Sequence, residues 1–289
     1  MKSKYLTIKT FLSHLTKAFR NQFTFNQLLG GKCLPFFNHL TYFIIMKLEQ
    51  ATRSNSSMRL AIHGPSGSGK TYSALQIAKG LTKNNQIAVI DTEAGSAALY
   101  SNLTTFKVLR LEQPFTPETF IEAITICENA GCDVIIIDSL SHAWEGSGGV
   151  LELHGQMPGN SFANWSKVMP RHNALIQKIL TSSAHIIATL RAKQDYLIDQ
   201  SNGKMTIQKV GLKPVQKEGI DYEFTLAFEM DIHHKATASK DRTGLFIDKS
   251  PFVITPQTGC TIKDWCNQTS LNNNYYELQR NPTTNSAFQ

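Results

Sequence analysis

The residues best suited to chemistry lie in one short stretch, HGPSGSGKTY, at positions 63–72. The stretch fits the G-x-x-x-x-G-K-T pattern of a phosphate-binding loop, with Lys70 and Thr71 at the fixed places. Glycines let successive backbone N–H groups converge on a phosphate, while the lysine reaches the β- and γ-oxygens and the threonine hydroxyl takes a Mg²⁺ position. We therefore predict a nucleoside triphosphate site formed by Gly64, Pro65, Ser66, Gly67, Ser68, Gly69, Lys70, Thr71 and Tyr72.

Two carboxylates end apolar runs downstream of this loop. Asp138 follows four apolar residues in DVIIIDSL (133–140), and with Thr71 it is the predicted Mg²⁺ group, acting through the ion's water shell. Glu93 ends IAVIDTE (87–93) and is the candidate to polarise an attacking water. The adjoining Asp91 either supports these groups or simply ends the strand. Ser139 follows Asp138 where many AAA+ ATPases carry a glutamate, which disfavours an AAA+ remodelling enzyme.

Other classes of nucleotide-binding protein have sequence signatures that this sequence lacks. It contains no N-K-x-D triplet for guanine, no L-S-G-G-Q segment of transporter ATPases and no arginine-rich lid of small kinases. Hydrolysis of ATP with Mg²⁺ is the remaining chemistry, with Lys70 and Glu93 as catalytic candidates.

The elements around the loop alternate between strand and helix patterns. RLAI precedes the loop as a strand, and TYSALQIAKGL follows with helical spacing that ends at Gly80 or soon after. Further strands are predicted at 87–93, 106–111 and 133–140, and a helix at 116–131 with Thr116 as its cap. This alternation predicts an α/β fold, a doubly wound and mainly parallel sheet with its ligand at the carboxyl ends of the strands.

Composition places limits on the rest of the chain. The net charge of +7 lies almost wholly in residues 1–45, which hold six basic residues and no acid, so the body is nearly neutral. We predict that 1–45 is an appended leader, although a transit peptide or a basic surface helix has the same composition. The ATPase domain is predicted at 46–268 and a polar disordered tail at 269–289. Five unpaired-looking cysteines and the lack of an 18-residue apolar run predict a reducing cytoplasm and no membrane partner.

Several longer segments resemble a known family. The P-loop, VIDTE and VIIIDSLSHAWEG together resemble the core of RecA/RadA/KaiC-class ATPases. From about 46 to 248 the chain resembles phage-encoded, RecA-like AAA-family ATPases. The sequence segments that carry this resemblance are 64–71, 138–151, 160–172, 186–193 and 209–224. The resemblance implies a RecA-like P-loop fold with an antiparallel C-terminal extension. Its members are commonly described as nucleotide-binding proteins, some of them likened to single-strand annealing or recombination proteins.

The resemblance also implies roles for residues late in the chain. A polar residue after strand 184–190 senses the γ-phosphate, and Thr189, Arg191 and Gln194 are the candidates, with Gln194 our prediction. Lys240 and Arg242 stand where such proteins carry a basic residue that reaches a neighbour's γ-phosphate, which implies a homo-oligomeric ring or filament. His233 and His234 have no third metal ligand in view and are interpreted as structural.

A basic hairpin is the candidate nucleic-acid interface. Residues 191–217 hold six basic residues against two acids and are predicted to form a β-hairpin that turns at 201–203. Basic groups and an aromatic ring suit sequence-neutral contact with single-stranded DNA, although a solvated hairpin has the same composition. The predicted DNA contacts are Lys193, Tyr196, Lys204, Lys209 and Lys213. Residues 141–155 lie where RecA-like proteins keep their first DNA loop, and Trp144 there either stacks on DNA or packs in the core.

Two functions follow as hypotheses. The first is an ATPase that binds single-stranded DNA in recombination or annealing. The second is a KaiC-like nucleotide switch that assembles and regulates a protein partner without DNA.

Overall fold

A mainly parallel sheet lies at the centre of the protein in its computed structural model, which describes residues 56–199 and 206–267. The leader at 1–45, the tail at 269–289 and the hairpin turn at 201–203 lie outside the described residues, as do the side chains of 195–210. The strands are β1 (Arg59–Gly64), β2 (Ile87–Asp91), β3 (Lys107–Arg110), β4 (Val134–Asp138), β5 (His185–Asp199), β6 (Thr206–Pro214), β7 (Leu226–Met230), β8 (Lys235–Asp241) and β9 (Phe252–Val253).

The strand order is β3-β2-β4-β5-β1-β7-β8-β9, and β6 pairs with β5. The first six strands of this order are parallel, whereas β8 pairs antiparallel with β7 and β9 pairs antiparallel with β8. The prediction of a doubly wound sheet with an antiparallel extension is therefore confirmed. Because the six strands are parallel, the residues that follow them gather at one edge of the sheet.

Helices cover both faces of this sheet. They are α1 (Lys70–Leu81), α2 (Pro117–Asn129), α3 (His142–Glu145), α4 (Val150–Gly155), α5 (Ser161–Thr181) and α6 (Pro256–Asn267). The predicted cap of α2 is confirmed, since the Thr116 side chain accepts a hydrogen bond from the Thr119 N–H. Among the described residues, no helix is both long enough and apolar enough to span a membrane.

Strand residues alternate between two apolar cores. In β1, Leu60 and Ile62 face the core shared with α1 and α6, whereas Ala61 faces the core shared with α2 and α5. Every residue of β1, β2 and β4 is buried. Burial on both faces explains why these strands read as continuous apolar runs.

The predicted hairpin is confirmed at the level of the backbone. Strand β5 leaves the parallel sheet and continues from Ala192 to Asp199 as the antiparallel partner of β6. Lys193 and Lys213 are Cα partners in this pair. We refer to residues 192–214 as the arm.

Two glycines set how closely α1 and α6 approach. A Cβ placed on Gly80 would lie 2.1 Å from the Pro256 carbonyl oxygen, and one placed on Gly259 would lie 2.2 Å from the Ile77 carbonyl oxygen. Real Cβ atoms cannot occupy such positions, so the two helices pack backbone against backbone. Helix α1 starts at the phosphate-binding loop, so its contact with α6 fixes the position of the helix that follows the loop.

We expect Gly80→Ala to force α1 away from α6 and to lower the free energy of unfolding by about 1–3 kcal/mol, as in other overpacked cores. Gly155 is the matched control, because a Cβ there would meet no atom within 4 Å. Gly155→Ala should leave the free energy of unfolding within about 0.5 kcal/mol of wild type or raise it slightly. Urea unfolding measures both variants, and equal stability of the two would contradict the close contact.

Candidate active site

The phosphate-binding loop joins β1 to α1, in the order the sequence predicts. Gly67 and Gly69 adopt positive φ angles of 76° and 87°, which glycine reaches without steric cost. At Gly64, a Cβ would lie 2.7 Å from the Met230 carbonyl oxygen and 2.8 Å from the Ser68 Oγ, so a side chain does not fit. The first turn of α1 has no acid and no side-chain cap, which leaves its N–H groups available to an anion.

The loop borders a cavity of about 980 Å³ at the carboxyl edge of the parallel strands. We call this cavity the cleft. Every residue of the predicted loop lines it except Pro65 and Ser68. Ser68 is fully buried, and its hydroxyl has no hydrogen-bond partner among the described residues. Pro65 contributes a backbone carbonyl, described next.

Lys70 lies folded over its own loop. Its Nζ donates hydrogen bonds to the carbonyl oxygens of Gly64 (3.1 Å) and Pro65 (2.8 Å). Burial lowers the pKa of this ammonium, and the nearby carboxylates of Asp138 and Glu93 oppose that shift. The carbonyls are weak substitutes for phosphate oxygens, so the lysine is placed to bind an anion that enters the loop.

Asp138 is held by two threonines from different elements. Its Oδ2 accepts a hydrogen bond of 2.7 Å from the Thr71 hydroxyl, and its Oδ1 accepts one of 2.5 Å from the Thr189 hydroxyl. The carboxyl is 2% exposed, and burial raises its pKa against the lowering effect of both hydrogen bonds. A buried carboxylate beside a threonine hydroxyl at a phosphate loop is the donor set expected for Mg²⁺.

Glu93 also lines the cleft, where it is bound to Arg191. Its Oε1 accepts hydrogen bonds from the Arg191 Nη2 (3.0 Å) and Nε (3.3 Å). Asp91 explains the position of Glu93, because its carboxylate accepts hydrogen bonds from the backbone N–H groups of Glu93 (2.7 Å) and Ala97 (3.0 Å). Asp91 therefore shapes the turn that presents Glu93 to the cleft.

A further contact joins the turns after β2 and β4. The Thr92 Oγ1 lies 2.7 Å from the His142 Nδ1 and accepts a hydrogen bond of 2.8 Å from the Ser139 N–H. These contacts fix the segments that carry Glu93 and Asp138 relative to each other. The sequence contained no local sign of them.

The three candidate γ-phosphate sensors lie at different distances from the cleft in the structure. Thr189 contacts Asp138, and Arg191 lines the cleft, but Gln194 lies outside its lining and donates from its Nε2 to the Gly211 carbonyl oxygen at 2.7 Å. Gln194 follows the point where β5 leaves the parallel sheet, which carries its side chain to β6. The structure therefore brings Arg191 and not Gln194 to the cleft, and a sensor role for either residue stays a prediction.

Lys240 and Arg242 lie away from the cleft of their own chain. Strand β8 runs antiparallel to β7, so its end lies at the edge of the sheet opposite the phosphate loop. There the Lys240 Nζ donates to the Asp221 carbonyl oxygen (2.6 Å), and the Arg242 Nη2 donates to the Tyr222 carbonyl oxygen (3.1 Å). Contact with a γ-phosphate would require a second chain.

His233 and His234, interpreted above as structural, are among the residues that line the cleft. They occupy the turn between β7 and β8, where His234 has a φ of 62°. A Cβ placed on Gly69 would lie 3.2 Å from the His234 Nδ1, so this ring covers the phosphate loop. The described residues contain no group of three potential metal ligands.

The predicted DNA contacts are only partly described. Lys193 is exposed, and the Lys213 Nζ forms an ion pair of 2.9 Å with the Glu218 Oε1. The side chains of Tyr196, Lys204 and Lys209 lie outside the described residues. Trp144 is half-buried and stacks on Trp165, with ring centroids 6.0 Å apart, so it packs within the protein.

Comparison with known families agrees with this geometry. The model of an AAA domain matches residues 56–253, which is more than half of the chain. The chain belongs to the AAA domain family. The match covers β1 to β9 and ends just before α6. No curated protein matches the chain.

We expect Asp138→Asn to stabilise the nucleotide-free protein. The folded-state pKa of Asp138 is raised, so its ionised form costs stability once the pH exceeds the unfolded pKa, and at neutral pH asparagine removes that cost. Each kcal/mol removed should raise the melting temperature by about 2–4 °C.

The same variant should lose the further stabilisation that Mg²⁺ and ATP give to the wild type, because the carboxylate that suits the ion is gone. Asp133→Asn is the matched control, since Asp133 is exposed at the opposite edge of the sheet. Thermal unfolding with and without Mg²⁺-ATP measures both effects. An unchanged Mg²⁺-ATP shift in Asp138→Asn would contradict the assignment of Asp138.

Proposed function

We propose that this AAA domain hydrolyses ATP in a RecA-like arrangement and that single-stranded DNA on the arm stimulates the reaction. The observation that carries the proposal is the convergence of Lys70, the Thr71–Asp138 pair and Glu93 on one cleft. Acting together, these residue types bind a triphosphate, hold a divalent ion and accept a proton.

Each residue has a distinct part in the reaction. The N–H groups of the loop and of the first turn of α1 bind the phosphates, and Lys70 leaves its loop carbonyls for the β- and γ-oxygens. Thr71 and Asp138 would hold Mg²⁺, which when bound neutralises charge on the β- and γ-phosphates. Glu93 accepts a proton from the water whose oxygen attacks the γ-phosphorus, while the bond to the β-phosphate oxygen breaks and ADP leaves.

Arg191 connects this chemistry to the arm. It forms an ion pair with Glu93 and directly precedes the residues of β5 that pair with β6. A ligand that moves the arm would therefore change the hydrogen bonds of the catalytic carboxylate. This continuity favours an ATPase stimulated by a ligand bound to the arm.

Single-stranded DNA is the ligand that the charge of the arm favours. Lys193 and Lys213 are Cα partners, and like charges directly opposite each other destabilise a sheet unless an anion or an acid offsets them. Glu218 offsets part of this charge through Lys213. A phosphate backbone would offset the remainder.

A nucleotide switch that acts on a protein partner is the second candidate function. The near-neutral charge of the chain outside residues 1–45 favours it.

For either function we propose a homo-oligomer in which Lys240 and Arg242 act on a neighbouring chain. Sedimentation with and without ATP tests assembly, and a monomer under both conditions would contradict it.

Glu93→Gln should retain nucleotide binding but slow hydrolysis by about 10²–10⁴-fold, since glutamine cannot accept the proton. Glu122→Gln, an exposed glutamate of α2, is the matched control and should hydrolyse ATP as the wild type does. Phosphate release measures turnover and a fluorescent nucleotide measures binding. Normal turnover in Glu93→Gln would show that another group activates the water.

Poly(dT) should raise ATP turnover, and neutralising Lys204, Lys209 and Lys213 to glutamine should remove that stimulation. The control neutralises three lysines distant from the arm, Lys83, Lys107 and Lys263, and should respond to DNA as the wild type does. Lys70→Ala supplies the inactive reference. If poly(dT) leaves the rate of ATP hydrolysis unchanged while ATP changes the oligomeric state, the nucleotide switch is favoured.

A further inference from the structure

A buried cluster of polar side chains lies in the turns that follow β2 and β4. Its members are Thr92, Ser139, Ser141 and His142, and each of them is at most 9% exposed. We call these four residues the turn cluster. None of them lines the cleft, and the proposed ATPase mechanism gives them no part in the reaction.

The Thr92 hydroxyl is the point where the two turns meet. Its Oγ1 accepts a hydrogen bond of 2.8 Å from the Ser139 N–H and lies 2.7 Å from the His142 Nδ1. It also lies 3.1 Å from the Asp138 carbonyl oxygen, which accepts the hydroxyl proton when the Nδ1 carries a proton of its own. Two lone pairs would repel each other at 2.7 Å, so a proton lies between Oγ1 and Nδ1, and their contact is a hydrogen bond.

The His142 ring is itself fixed in place. It stacks on the Phe115 ring with centroids 5.0 Å apart, and the His142 N–H donates to the Ser139 carbonyl oxygen at 3.3 Å. Burial lowers the pKa of this imidazole, and the charge of Arg191 lowers it further, while that of Glu93 raises it. Near neutral pH the ring is therefore an uncharged and rigid hydrogen-bond partner.

The same cluster holds the main chain of Arg191. The Ser141 Oγ accepts a hydrogen bond of 2.9 Å from the Arg191 N–H. On the other side, Thr92 directly precedes Glu93 in the chain. The turn cluster therefore fixes the main chain of both partners in the Glu93–Arg191 ion pair.

Packing alone does not require polar groups at this place. An apolar pair of the same shape can replace a buried hydrogen-bonded pair at little cost in stability. A hydrogen bond differs from an apolar contact because it is directional and tolerates only a narrow range of distance and angle. Turns joined in this way keep a defined spacing, which a carboxylate needs if it is to meet an attacking water.

We propose that the Thr92–His142 hydrogen bond positions the Glu93 carboxylate for the attack of water on the γ-phosphate. The proposal rests on the proposed ATPase function. It makes Thr92 and His142 positioning residues, which act through Glu93 and do not contact the nucleotide. Loss of the bond should slow hydrolysis but spare ATP binding, because the phosphate-binding loop follows a different strand, β1.

His142→Phe is the main test, because phenylalanine can keep the stack on Phe115 but lacks the Nδ1. The variant should hydrolyse ATP roughly 10–10²-fold more slowly, as expected for a slightly misplaced catalytic group, while its affinity for ATP changes by less than about twofold. His142→Asn should recover most of the lost rate, because its amide can occupy the place of the Nδ1. Phosphate release measures turnover, and a fluorescent nucleotide measures binding.

Variants of Thr92 test the other half of the bond. Thr92→Ser keeps the hydroxyl and should hydrolyse ATP at close to the wild-type rate, whereas Thr92→Val should be slow. Thr92→Val combined with His142→Phe should be no slower than Thr92→Val alone, because both changes remove the same bond. Thr82→Val is the matched control, since the buried Thr82 hydroxyl donates to the Asp133 carboxylate (2.9 Å) at the opposite edge of the sheet. It should hydrolyse ATP as the wild type does.

Hydrogen exchange of the nucleotide-free protein gives a measurement that does not depend on hydrolysis. The amides of residues 92–97 should exchange roughly two- to tenfold faster in His142→Phe than in the wild type, the effect of one lost hydrogen bond. Thr82→Val should leave them unchanged. Urea unfolding verifies that each variant is folded, and if His142→Phe does not fold, Thr92→Val against Thr92→Ser decides.

Three results would overturn the proposal: wild-type hydrolysis in His142→Phe, wild-type exchange of residues 92–97 in that variant, or losses that multiply in the double variant. A wild-type protein that binds ATP without hydrolysing it contradicts the proposed function instead. In that case hydrogen exchange alone decides whether the Thr92–His142 bond positions the turn that carries Glu93.

Discussion

The buried carboxylate of Asp138 is the group on which the site depends. It ends β4 and accepts hydrogen bonds from a threonine of α1 and a threonine of β5, so it ties together three elements that are distant in sequence. A carboxylate in such a place is costly unless its oxygens are satisfied, and here both of them are. These hydrogen bonds offset only part of the cost, since burial still raises the pKa of the carboxyl, and the chain retains the remainder where the phosphate loop needs a fixed negative group.

The parallel register brings the remaining groups to the same edge. Asp91 pairs with Asp138, and Gly64 pairs with Arg191, so the loop, the two carboxylates and the arginine follow strands that end level with one another. A slip of one residue in any of these strands would turn its polar end into the apolar core. The site is thus a consequence of register, and the continuous apolar strands hold that register in place.

Local patterns made much of this architecture predictable. The glycine spacing defined the loop, apolar runs that end in Asp138 and Glu93 defined two strand ends, and Thr116 marked the start of a helix. Each of these features is determined by residues close to it in the sequence, so it can be recognised from the sequence alone. No local pattern indicates where β5 leaves the sheet and carries Gln194 to β6, and none indicates that His233 and His234 line the cleft, because their position follows from the pairing of β7 with β1. The Glu93–Arg191 and Thr92–His142 contacts are likewise products of strand order.

The backbone contact between α1 and α6 has a consequence for motion. No side chains separate the helices where Gly80 meets Gly259, so α1 cannot tilt or slide at this point without breaking main-chain packing. The phosphate-binding loop is therefore anchored to a helix that has little freedom to move. Around the cleft, the groups that can change conformation are side chains, among them Glu93 and Arg191, and the turn that carries His234 over the loop.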